Sequence, residues 1–487
     1  MDSRNFPPPP AELYFVGIKG TGTSALAELM LNAGYRIGGS DTGEVFYTDA
    51  ILKELGIPFH ESFRAEHIKD STALVIHSAA YAPETNAELA EAVRRGIPLM
   101  KYAEALGAWS ALFNSSGIAG VHGKTTTTAM TGTLVRALGI PAQVLAGGAV
   151  ASFGNRSTLS AGNRYFIAET CEYRRHFLSF HPSNIILTAV EEDHQDYYPD
   201  FDSIREAFLE YCRLLPAGGR LIYCADDGGA AGVARAIEGE HRGICLIPYG
   251  FGAGGPFRIE SYRVRDERAE FRLSAFPDPL ILRVPGRHEA LNAAAALALC
   301  TVLPDGEGRG ENVEAVWDAE NRRRAKEGLE RFRGARRRSE IRGEAGGILF
   351  MDDYGHHPTA IAATLAGLKE FYPRRRIAVS FMSHTYTRTA ALLDEFASSF
   401  GAADMVVLHR IYASARETNP GGVDGRTLFE KTRARHHGKV FYTEEPMEAL
   451  PLLQGMLREG DLFITMGAGN NWPLGEALLA RFGGEGP

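Results

Sequence analysis

Short apolar runs alternate along the chain with segments whose apolar residues recur every three or four positions. Residues 13–17 (LYFVG) form the first run, and residues 25–33 then place alanine, leucine and methionine on one helical face. Residues 35–40 and 73–77 are again short and apolar. Strands of this length joined by amphipathic helices predict a βαβ opening that continues to about residue 110.

The alternation resumes at Gly117. Residues 124–138 carry a helical pattern that Gly139 ends. The predicted strands of this stretch are 117–121, 165–169, 184–189 and 220–224. Hairpins are predicted over 250–287 and an alanine-rich helix over 289–303.

A polar, charged stretch at 304–325 separates a third alternating segment from the second. The predicted strands there are 349–351, 377–381, 405–408, 440–442 and 462–464. The whole pattern predicts the α/β class. We expect three consecutive α/β domains, at residues 1–115, 116–325 and 326–487.

Composition narrows the classes of function. The 487 residues are 45% hydrophobic and 23% charged, with a formal net charge of −8, which disfavours nucleic-acid binding. The sequence has no apolar run of the roughly 18 residues that a membrane helix needs. The five cysteines include no close pair, which is typical of a reducing cytosol. We expect a cytoplasmic protein that binds neither nucleic acid nor membrane.

Residues 120–128 (GVHGKTTTT) connect a predicted strand to a predicted helix. Glycines let backbone N–H groups cradle phosphate oxygens, and a lysine followed by threonine supplies a cation and a Mg²⁺ ligand. Ile118 stands where the general phosphate-loop pattern has glycine, so this is a shortened variant. A glycine-rich turn without ligand stays the alternative. The predicted ATP-binding residues of the loop are Gly120, His122, Gly123, Lys124, Thr125 and Thr126.

A second glycine loop follows the first strand. Gly20-x-Gly22-x-x-Ala25 satisfies the dinucleotide fingerprint, and Asp41 follows Gly22 by 19 residues. Taken alone, the loop favours NAD, with Asp41 on a ribose hydroxyl. The same backbone chemistry fits any diphosphate, including that of a UDP-sugar, and a tight turn without ligand also stays open.

Two strand ends of the middle stretch carry possible metal ligands. Glu169 ends one apolar strand and His194 follows another. In a parallel sheet both would lie at the edge that holds the phosphate loop. A carboxylate suits Mg²⁺, whereas a histidine suits Mn²⁺ better. The sequence does not decide which of the additional acids in these loops would take part in such a site; they are Glu172, Glu191 and Asp193.

Eight segments together resemble the Mur ligase family, the ATP-dependent amide ligases of peptidoglycan precursor synthesis. They are GIKGTGTSALA at 17–27, GVHGKTTTT at 120–128, AETCEYRRHFL at 168–178, EEDHQDYY at 191–198, PGRHEALNAAAA at 285–296, DDYGHHPTAI at 352–361, SHTYTRT at 383–389 and MGAGN at 466–470. DDYGHHP and HTYTRT resemble the members that join L-alanine to UDP-N-acetylmuramate. The resemblance implies Rossmann-like first and third domains and a P-loop ATPase-like central domain with a mixed sheet.

The resemblance also implies residue roles. Uridine diphosphate would be held by the first glycine loop and its neighbours, namely Gly20, Thr21, Gly22, Asp41 and Ser78. Lys124 and Thr125 would hold ATP phosphate and metal. Glu169 would ligate Mg²⁺, or Mn²⁺, and His194 a second ion.

Further implied roles lie later in the chain. His288 and Asn292 match a nucleotide-contacting helix start, and Asp353 and Tyr354 would line the nucleotide side of a cleft. The residues that would face the phosphoryl group and the incoming amino acid are His356 and Arg388. The implied partners are ATP, UDP-N-acetylmuramate and L-alanine, with the chain a monomer or weak dimer.

Several positions depart from the family pattern. Lys19 stands in place of glycine, and Glu289 replaces an asparagine after His288. Three alternatives stay open: a ligase that attaches an intact peptide to UDP-N-acetylmuramate, an NAD-dependent oxidoreductase, and a non-catalytic nucleotide-sugar sensor.

Overall fold

The computed structural model describes residues 6–304, 313–413, 417 and 421–484. The chain divides into two compact units. The first comprises Met1–Val190, Arg205–Arg258 and Ala293–Gly328. The second comprises Glu191–Ile204, Ile259–Asn292 and Leu329–Pro487.

The first unit opens with a five-stranded parallel sheet in the order β3-β2-β1-β4-β5. Its strands are β1 (Glu12–Val16), β2 (Arg36–Ser40), β3 (Phe59–His60), β4 (Thr72–His77) and β5 (Leu99–Lys101). The connecting helices are α1 (Thr21–Asn32), α2 (Thr48–Glu54), α3 (Ala87–Arg94) and α4 (Tyr102–Ser110). Residues 13–16 of β1 are all buried, as expected for a central parallel strand, which explains the unbroken apolar run.

The second sheet of this unit has seven strands in the order β12-β11-β10-β6-β9-β7-β8. They are β6 (Asn114–Ala119), β7 (Ala142–Val150), β8 (Arg156–Ser160), β9 (Tyr165–Glu169), β10 (Asn184–Leu187), β11 (Arg220–Cys224) and β12 (Cys245–Tyr249). Only β8 runs antiparallel to its neighbour, so the sheet is mixed. The helices that follow in the chain are α5 (Lys124–Leu138), α6 (Phe201–Cys212), α7 (Gly228–Gly239), α8 (Arg287–Val302), α9 (Val313–Val316) and α10 (Ala319–Arg331).

The second unit contains a three-stranded antiparallel sheet and a six-stranded sheet. The small sheet has β13 (Ile259–Arg265), β14 (Arg268–Leu273) and β15 (Leu280–Leu282). The larger has β16 (Glu340–Ala345), β17 (Ile348–Asp353), β18 (Arg376–Phe381), β19 (Met405–Leu408), β20 (Lys439–Tyr442) and β21 (Asp461–Met466), in the order β16-β17-β21-β18-β19-β20. All its pairs are parallel except β16–β17. Its helices are α11 (Pro358–Phe371), α12 (Tyr386–Ala391), α13 (Leu393–Ser398), α14 (Gly425–Arg435), α15 (Leu450–Met456) and α16 (Trp472–Phe482).

The predicted α/β class is confirmed by this architecture. The helix predicted over 124–138 and the strand predicted over 165–169 have those bounds in the structure. The strand predicted over 349–351 is longer and ends at Asp353. The domain boundaries near 116 and 325 stay predictions, and α10 runs through residue 325. Residues 305–312 of the predicted separating stretch lie outside the described residues.

Parallel pairing brings the ends of neighbouring strands to one edge of each sheet. In the first sheet the loops after β1 and β4 meet there, and in the seven-stranded sheet the loops after β6, β9 and β10 meet. In the six-stranded sheet the ends of β17, β21 and β18 do the same. Ligands of open α/β sheets bind at such edges, where the strand order reverses. Across the described residues, no helix is long and apolar enough to span a bilayer.

Replacing Phe166 with alanine should lower the free energy of unfolding of the first unit by about 3–5 kcal/mol. Phe166 is fully buried in β9, with ring neighbours Phe113 and Phe180 at 6.0 and 6.1 Å, so truncation leaves a cavity. Urea unfolding measures the change. The control Leu112→Ala, at a position 49% exposed, should cost under about 1 kcal/mol. Equal losses in both variants would contradict the packing argument.

Candidate active site

The loop between β6 and α5 has the backbone of a phosphate cradle. Gly120 and Gly123 both have positive φ, at 137° and 79°. A Cβ on Gly120 would lie 2.1 Å from Thr188 Oγ1, so only glycine fits. Thr188 in turn donates its hydroxyl to the main-chain oxygens of Ala119 and His122. The loop is therefore fixed from β10 while its N–H groups stand at the start of a helix, where the helix dipole favours an anion.

Lys124 is held inside this loop. Its Nζ donates to the main-chain oxygens of Gly120 and Val121, and to Glu172 Oε2 at 2.9 Å. Burial by itself would lower the pKa of Lys124, but Glu172 and Glu169 outweigh it and the pKa lies above its ordinary value. The side chain is therefore an ammonium ion at neutral pH, close to the phosphate cradle.

Thr125 and Glu169 meet at the same edge. Thr125 Oγ1 donates to Glu169 Oε2 at 2.8 Å, and the N–H of Gly147 donates to the same oxygen at 2.8 Å. A hydroxyl and a carboxylate at this separation are hard oxygen donors of the kind that Mg²⁺ prefers. The structure thus brings Thr125 and Glu169, two of the predicted metal ligands, within hydrogen-bonding distance of each other. Thr126, the next residue, is buried in α5.

The first glycine loop connects β1 to α1. Gly20 lies just before the helix, and Thr21 begins it and accepts a hydrogen bond from Tyr47 Oη at 3.0 Å. Ser78, after β4, donates its main-chain N–H to Val16 at 2.9 Å. These residues of the predicted substrate site thus share one edge of the first sheet.

Asp41 is buried at the end of β2 and contacts the glycine loop itself. Its Oδ2 accepts the main-chain N–H of Lys19 at 2.7 Å, and its Oδ1 accepts that of Thr42 at 2.8 Å. In a dinucleotide site the acid at this place accepts a ribose hydroxyl. Here both oxygens hold main chain, so Asp41 shapes the loop.

Tyr102, the first residue of α4, lies between the first glycine loop and Glu169. A Cβ on Gly22 would lie 2.6 Å from the Tyr102 ring, so this glycine is needed for the ring to approach. Burial, followed by the Glu169 carboxylate, raises the pKa of Tyr102. The sequence analysis missed this residue, because nothing in its local pattern distinguishes it from any helix-start tyrosine.

In the second unit, Arg388 forms a buried ion pair with Asp193. Its Nε and Nη2 lie 2.8 and 2.7 Å from Asp193 Oδ1, and both side chains are at most 5% exposed. Burial alone would raise the pKa of Asp193, but the Arg388 guanidinium outweighs it and holds that pKa well below its usual range. The sequence did not distinguish Asp193 from the neighbouring acids. In the structure it is the partner of Arg388, which was predicted to be catalytic.

His356 stands in the same group of side chains. Its Nδ1 lies 2.9 Å from the main-chain oxygen of Tyr354, a distance that assigns the proton to Nδ1. Burial and then Arg388 lower the pKa of His356 well below its usual value. The ring is therefore neutral near pH 7, with Nε2 as the basic nitrogen. His194, with a φ of 56°, has its Nε2 4.0 Å from Asp193.

Asp353 and Tyr354 end β17. The Asp353 carboxylate accepts the N–H groups of Ser339 and Gly355, both at 2.7 Å, and so fixes two turns. The Tyr354 ring has the guanidinium carbons of Arg337 and Arg338 each 5.1 Å from its centroid. The predicted nucleotide-lining pair is thus held by main chain and cations of its own unit.

His288 and Asn292, predicted to contact nucleotide, are linked by Glu289. Glu289 Oε1 lies 3.5 Å from His288 Nε2, and Asn292 Nδ2 donates to Glu289 Oε2 at 3.1 Å. Burial lowers the pKa of His288, but Glu289 and Asp353 outweigh it and the pKa is raised. Glu289, which replaces the asparagine of the family pattern, therefore bridges His288 and Asn292, the two residues that match that pattern.

Sequence models of three domains match the chain: the Mur ligase family catalytic domain over 12–114, the Mur ligase middle domain over 118–300 and the Mur ligase glutamate ligase domain over 337–469. The chain belongs to the Mur ligase family. The family predicted from the sequence motifs is thereby confirmed.

Several Mur ligases resemble this chain over nearly their whole length. A UDP-N-acetylmuramate–L-alanine ligase of Treponema pallidum is 51% identical over 474 residues, 97% of this chain and 96% of that protein. One of Borreliella burgdorferi is 36% identical over 96% of this chain and 98% of that protein. A UDP-N-acetylmuramate–alanine ligase structure from Thermotoga maritima, 24% identical, matches with a TM-score of 0.75 over 97% of this chain and 99% of that chain, which supports the fold.

The Asp193–Arg388 pair of this Mur ligase gives a pH-dependent prediction. Asp193→Asn should lower the free energy of unfolding of the second unit by about 3–5 kcal/mol near pH 7, because a buried guanidinium loses its counter-ion. The pKa of Asp193 is depressed by folding, so its contribution is present above the unfolded pKa of about 4 and is lost as the pH falls below it. Urea unfolding across this range measures the difference between wild type and variant.

The difference should therefore shrink between about pH 4 and pH 3. Asp394, an exposed acid paired with Lys431 and Arg435, gives the control Asp394→Asn, which should leave the unfolding midpoint nearly unchanged. A loss from Asp193→Asn that is the same at acid and neutral pH would show that the charge pair is not its cause.

Proposed function

We propose that this chain joins L-alanine to the lactyl carboxylate of UDP-N-acetylmuramate in the cytoplasm, with ATP converted to ADP and phosphate, as a step of peptidoglycan precursor synthesis. The observation that carries the proposal is the charged Lys124, held at a helix start in a glycine cradle beside Thr125 and Glu169. The full-length relatives at 51% and 36% identity bear the name of this activity.

The first half of the reaction activates the acid. A carboxylate resists attack by an amine, because its charge repels the nucleophile and its oxygen is a poor leaving group. The lactyl carboxylate attacks the γ-phosphorus of ATP in line, which gives an acyl phosphate and ADP. Attacking and transferred groups are both anionic, so positioned cations lower the barrier. Lys124 and the main-chain N–H groups at the start of α5 supply that positive charge.

Mg²⁺ fits the oxygens of Thr125 and Glu169, which already share a hydrogen bond of 2.8 Å. Bound there, the ion would neutralise phosphate charge. His194 is the proposed ligand of a second ion, for which Mn²⁺ is the better match. The Lys124 ammonium and the loop N–H groups orient the triphosphate.

The second half forms the amide. The neutral amine of L-alanine attacks the acyl carbon, phosphate leaves, and the amine loses a proton. His356 is proposed to accept that proton, because its lowered pKa leaves Nε2 unprotonated near pH 7. Arg388, oriented by Asp193, is proposed to bind the amino-acid carboxylate. His288, Asn292, Asp353 and Tyr354 are proposed to contact the nucleotide.

Gly20, Thr21, Gly22, Asp41 and Ser78 are proposed to hold the uridine diphosphate, and Asp41 also shapes the loop. The oxidoreductase alternative is weaker, because a nicotinamide enzyme would leave the Lys124 loop without a role. An absence of any NADH oxidation would agree with the ligase.

Release of ADP that requires both UDP-N-acetylmuramate and L-alanine tests the proposal. Lys124→Met should lower this rate at least about 100-fold, because one transition-state cation is lost. Binding of the UDP-sugar to that variant, measured by calorimetry, should stay near the wild-type value. The control Lys431→Met removes an exposed lysine and should keep full activity.

The choice of amino acid substrate distinguishes the proposed ligase from the peptide ligase and from the nucleotide-sugar sensor. L-alanine should exceed glycine, L-serine and a tripeptide in the rate of ADP release. Preference for the peptide would favour the peptide ligase, and ATP turnover that ignores amino acids would favour the sensor. Wild-type rates in Lys124→Met would overturn the assignment of the phosphate loop.

Glu169→Gln should raise the Mg²⁺ concentration for half-maximal activity at least about 10-fold, because one anionic ligand becomes neutral. The measurement is a Mg²⁺ titration of ADP release at saturating substrates. Glu260→Gln, at an exposed position in β13, is the matched control and should titrate as wild type does. An unchanged titration in Glu169→Gln would remove this residue from the metal site.

A further inference from the structure

The first glycine loop carries a lysine whose ammonium points into the protein. The Lys19 side chain is 0% exposed. Its Nζ donates to the main-chain oxygen of Glu44 at 2.9 Å and to Glu61 Oε1 at 3.0 Å, and lies 3.1 Å from Asp49 Oδ2. The ring of Phe59 covers it at 5.3 Å. Lys19 therefore cannot reach a ligand outside the loop without leaving all these partners.

The main chain of Lys19 is bound to the same neighbouring segment, residues 41–49. Its N–H donates to Asp41 Oδ2 at 2.7 Å, and its carbonyl oxygen accepts the hydroxyl of Thr48. One residue of the glycine loop thus holds the beginning, middle and end of segment 41–49. Within that segment Tyr47 also donates to Thr21, the first residue of α1.

Stability alone is a poor reason for such a lysine. Burying a charge pair costs desolvation, and an apolar side chain of similar size often stabilises a protein equally well. What a buried, fully paired cation adds is a defined arrangement of the groups that bind it. A loop with glycines at positions 17, 20 and 22 needs that constraint, because glycine backbone has many accessible shapes.

We propose that Lys19 is a positioning residue for the uridine diphosphate part of the substrate. It holds the glycine loop and segment 41–49 in the one arrangement that receives a nucleoside diphosphate, without touching it. Val45 and Phe46, 82% and 38% exposed, lie on the segment so held and present apolar surface at its tip. The inference rests on the proposed function, since it needs a UDP-sugar at this loop.

The test is Lys19→Met, which keeps the length of the side chain and removes its charge. The KM for UDP-N-acetylmuramate should rise at least about 10-fold, whereas kcat and the KM for ATP should change less than about 2-fold. The dissociation constant of UDP alone, measured by calorimetry, should rise in parallel. Hydrogen exchange of segment 41–49 should become faster.

Glu61→Gln provides a second variant that keeps the fold, because the Glu61 side chain is 54% exposed. It removes the negative charge of one partner of Lys19 and should raise the same KM about 3-fold. The matched control is Lys69→Met, the same substitution at a 65% exposed lysine near Glu12, which should change none of these constants.

The outcomes separate the two proposals. A folded Lys19→Met with wild-type affinity for UDP overturns the positioning role, as does a variant in which all three kinetic constants worsen together with the unfolding midpoint. If Lys19→Met does not fold, an unchanged UDP-sugar KM in Glu61→Gln overturns it. A wild type that neither binds UDP nor releases ADP with the UDP-sugar overturns the proposed function instead.

Discussion

A mostly buried ammonium that stays charged is the constraint on which the candidate site depends. The Lys124 side chain is only 13% exposed, which by itself would lower its pKa, yet two carboxylates, Glu172 and Glu169, outweigh this and raise the pKa. The two acids come from the end of β9 and the loop after it, and the lysine comes from the start of α5. The site therefore exists only while β6 and β9 are neighbours, and their parallel pairing over 114–118 provides this.

The second unit also has a buried group that its partner keeps charged, but there the buried group is an acid and the partner is a cation. There the Asp193 carboxylate is buried, and Arg388 keeps it ionised. Such pairs contribute little net stability, because desolvation offsets attraction. They do fix geometry, and the guanidinium of Arg388 is consequently held beside the neutral ring of His356. Arg388 thus keeps the Asp193 carboxylate ionised and, together with burial, keeps the His356 ring neutral.

A buried charge also constrains the first glycine loop, where the charged group is the Lys19 ammonium. The loop of a nucleotide site is usually explained by its glycines, which permit close approach of a phosphate. The glycines make this approach possible but leave the loop flexible, and a flexible loop must lose conformational entropy when the ligand binds. A buried lysine that ties the loop to segment 41–49 removes much of that entropy before the ligand arrives.

The sequence by itself determined the α/β class, the bounds of α5 and β9, and the chemistry of the loop around Lys124. Local periodicity, glycine position and residue type carry that information, and the motifs were sufficient to predict the Mur ligase family. Only the tertiary structure decided the partners: Glu172 for Lys124, Asp193 for Arg388, Glu289 between His288 and Asn292, and Tyr102 beside Gly22. Except for the local Glu289 bridge, these contacts join residues far apart in the chain, so their choice depends on strand order and burial, which no local pattern encodes.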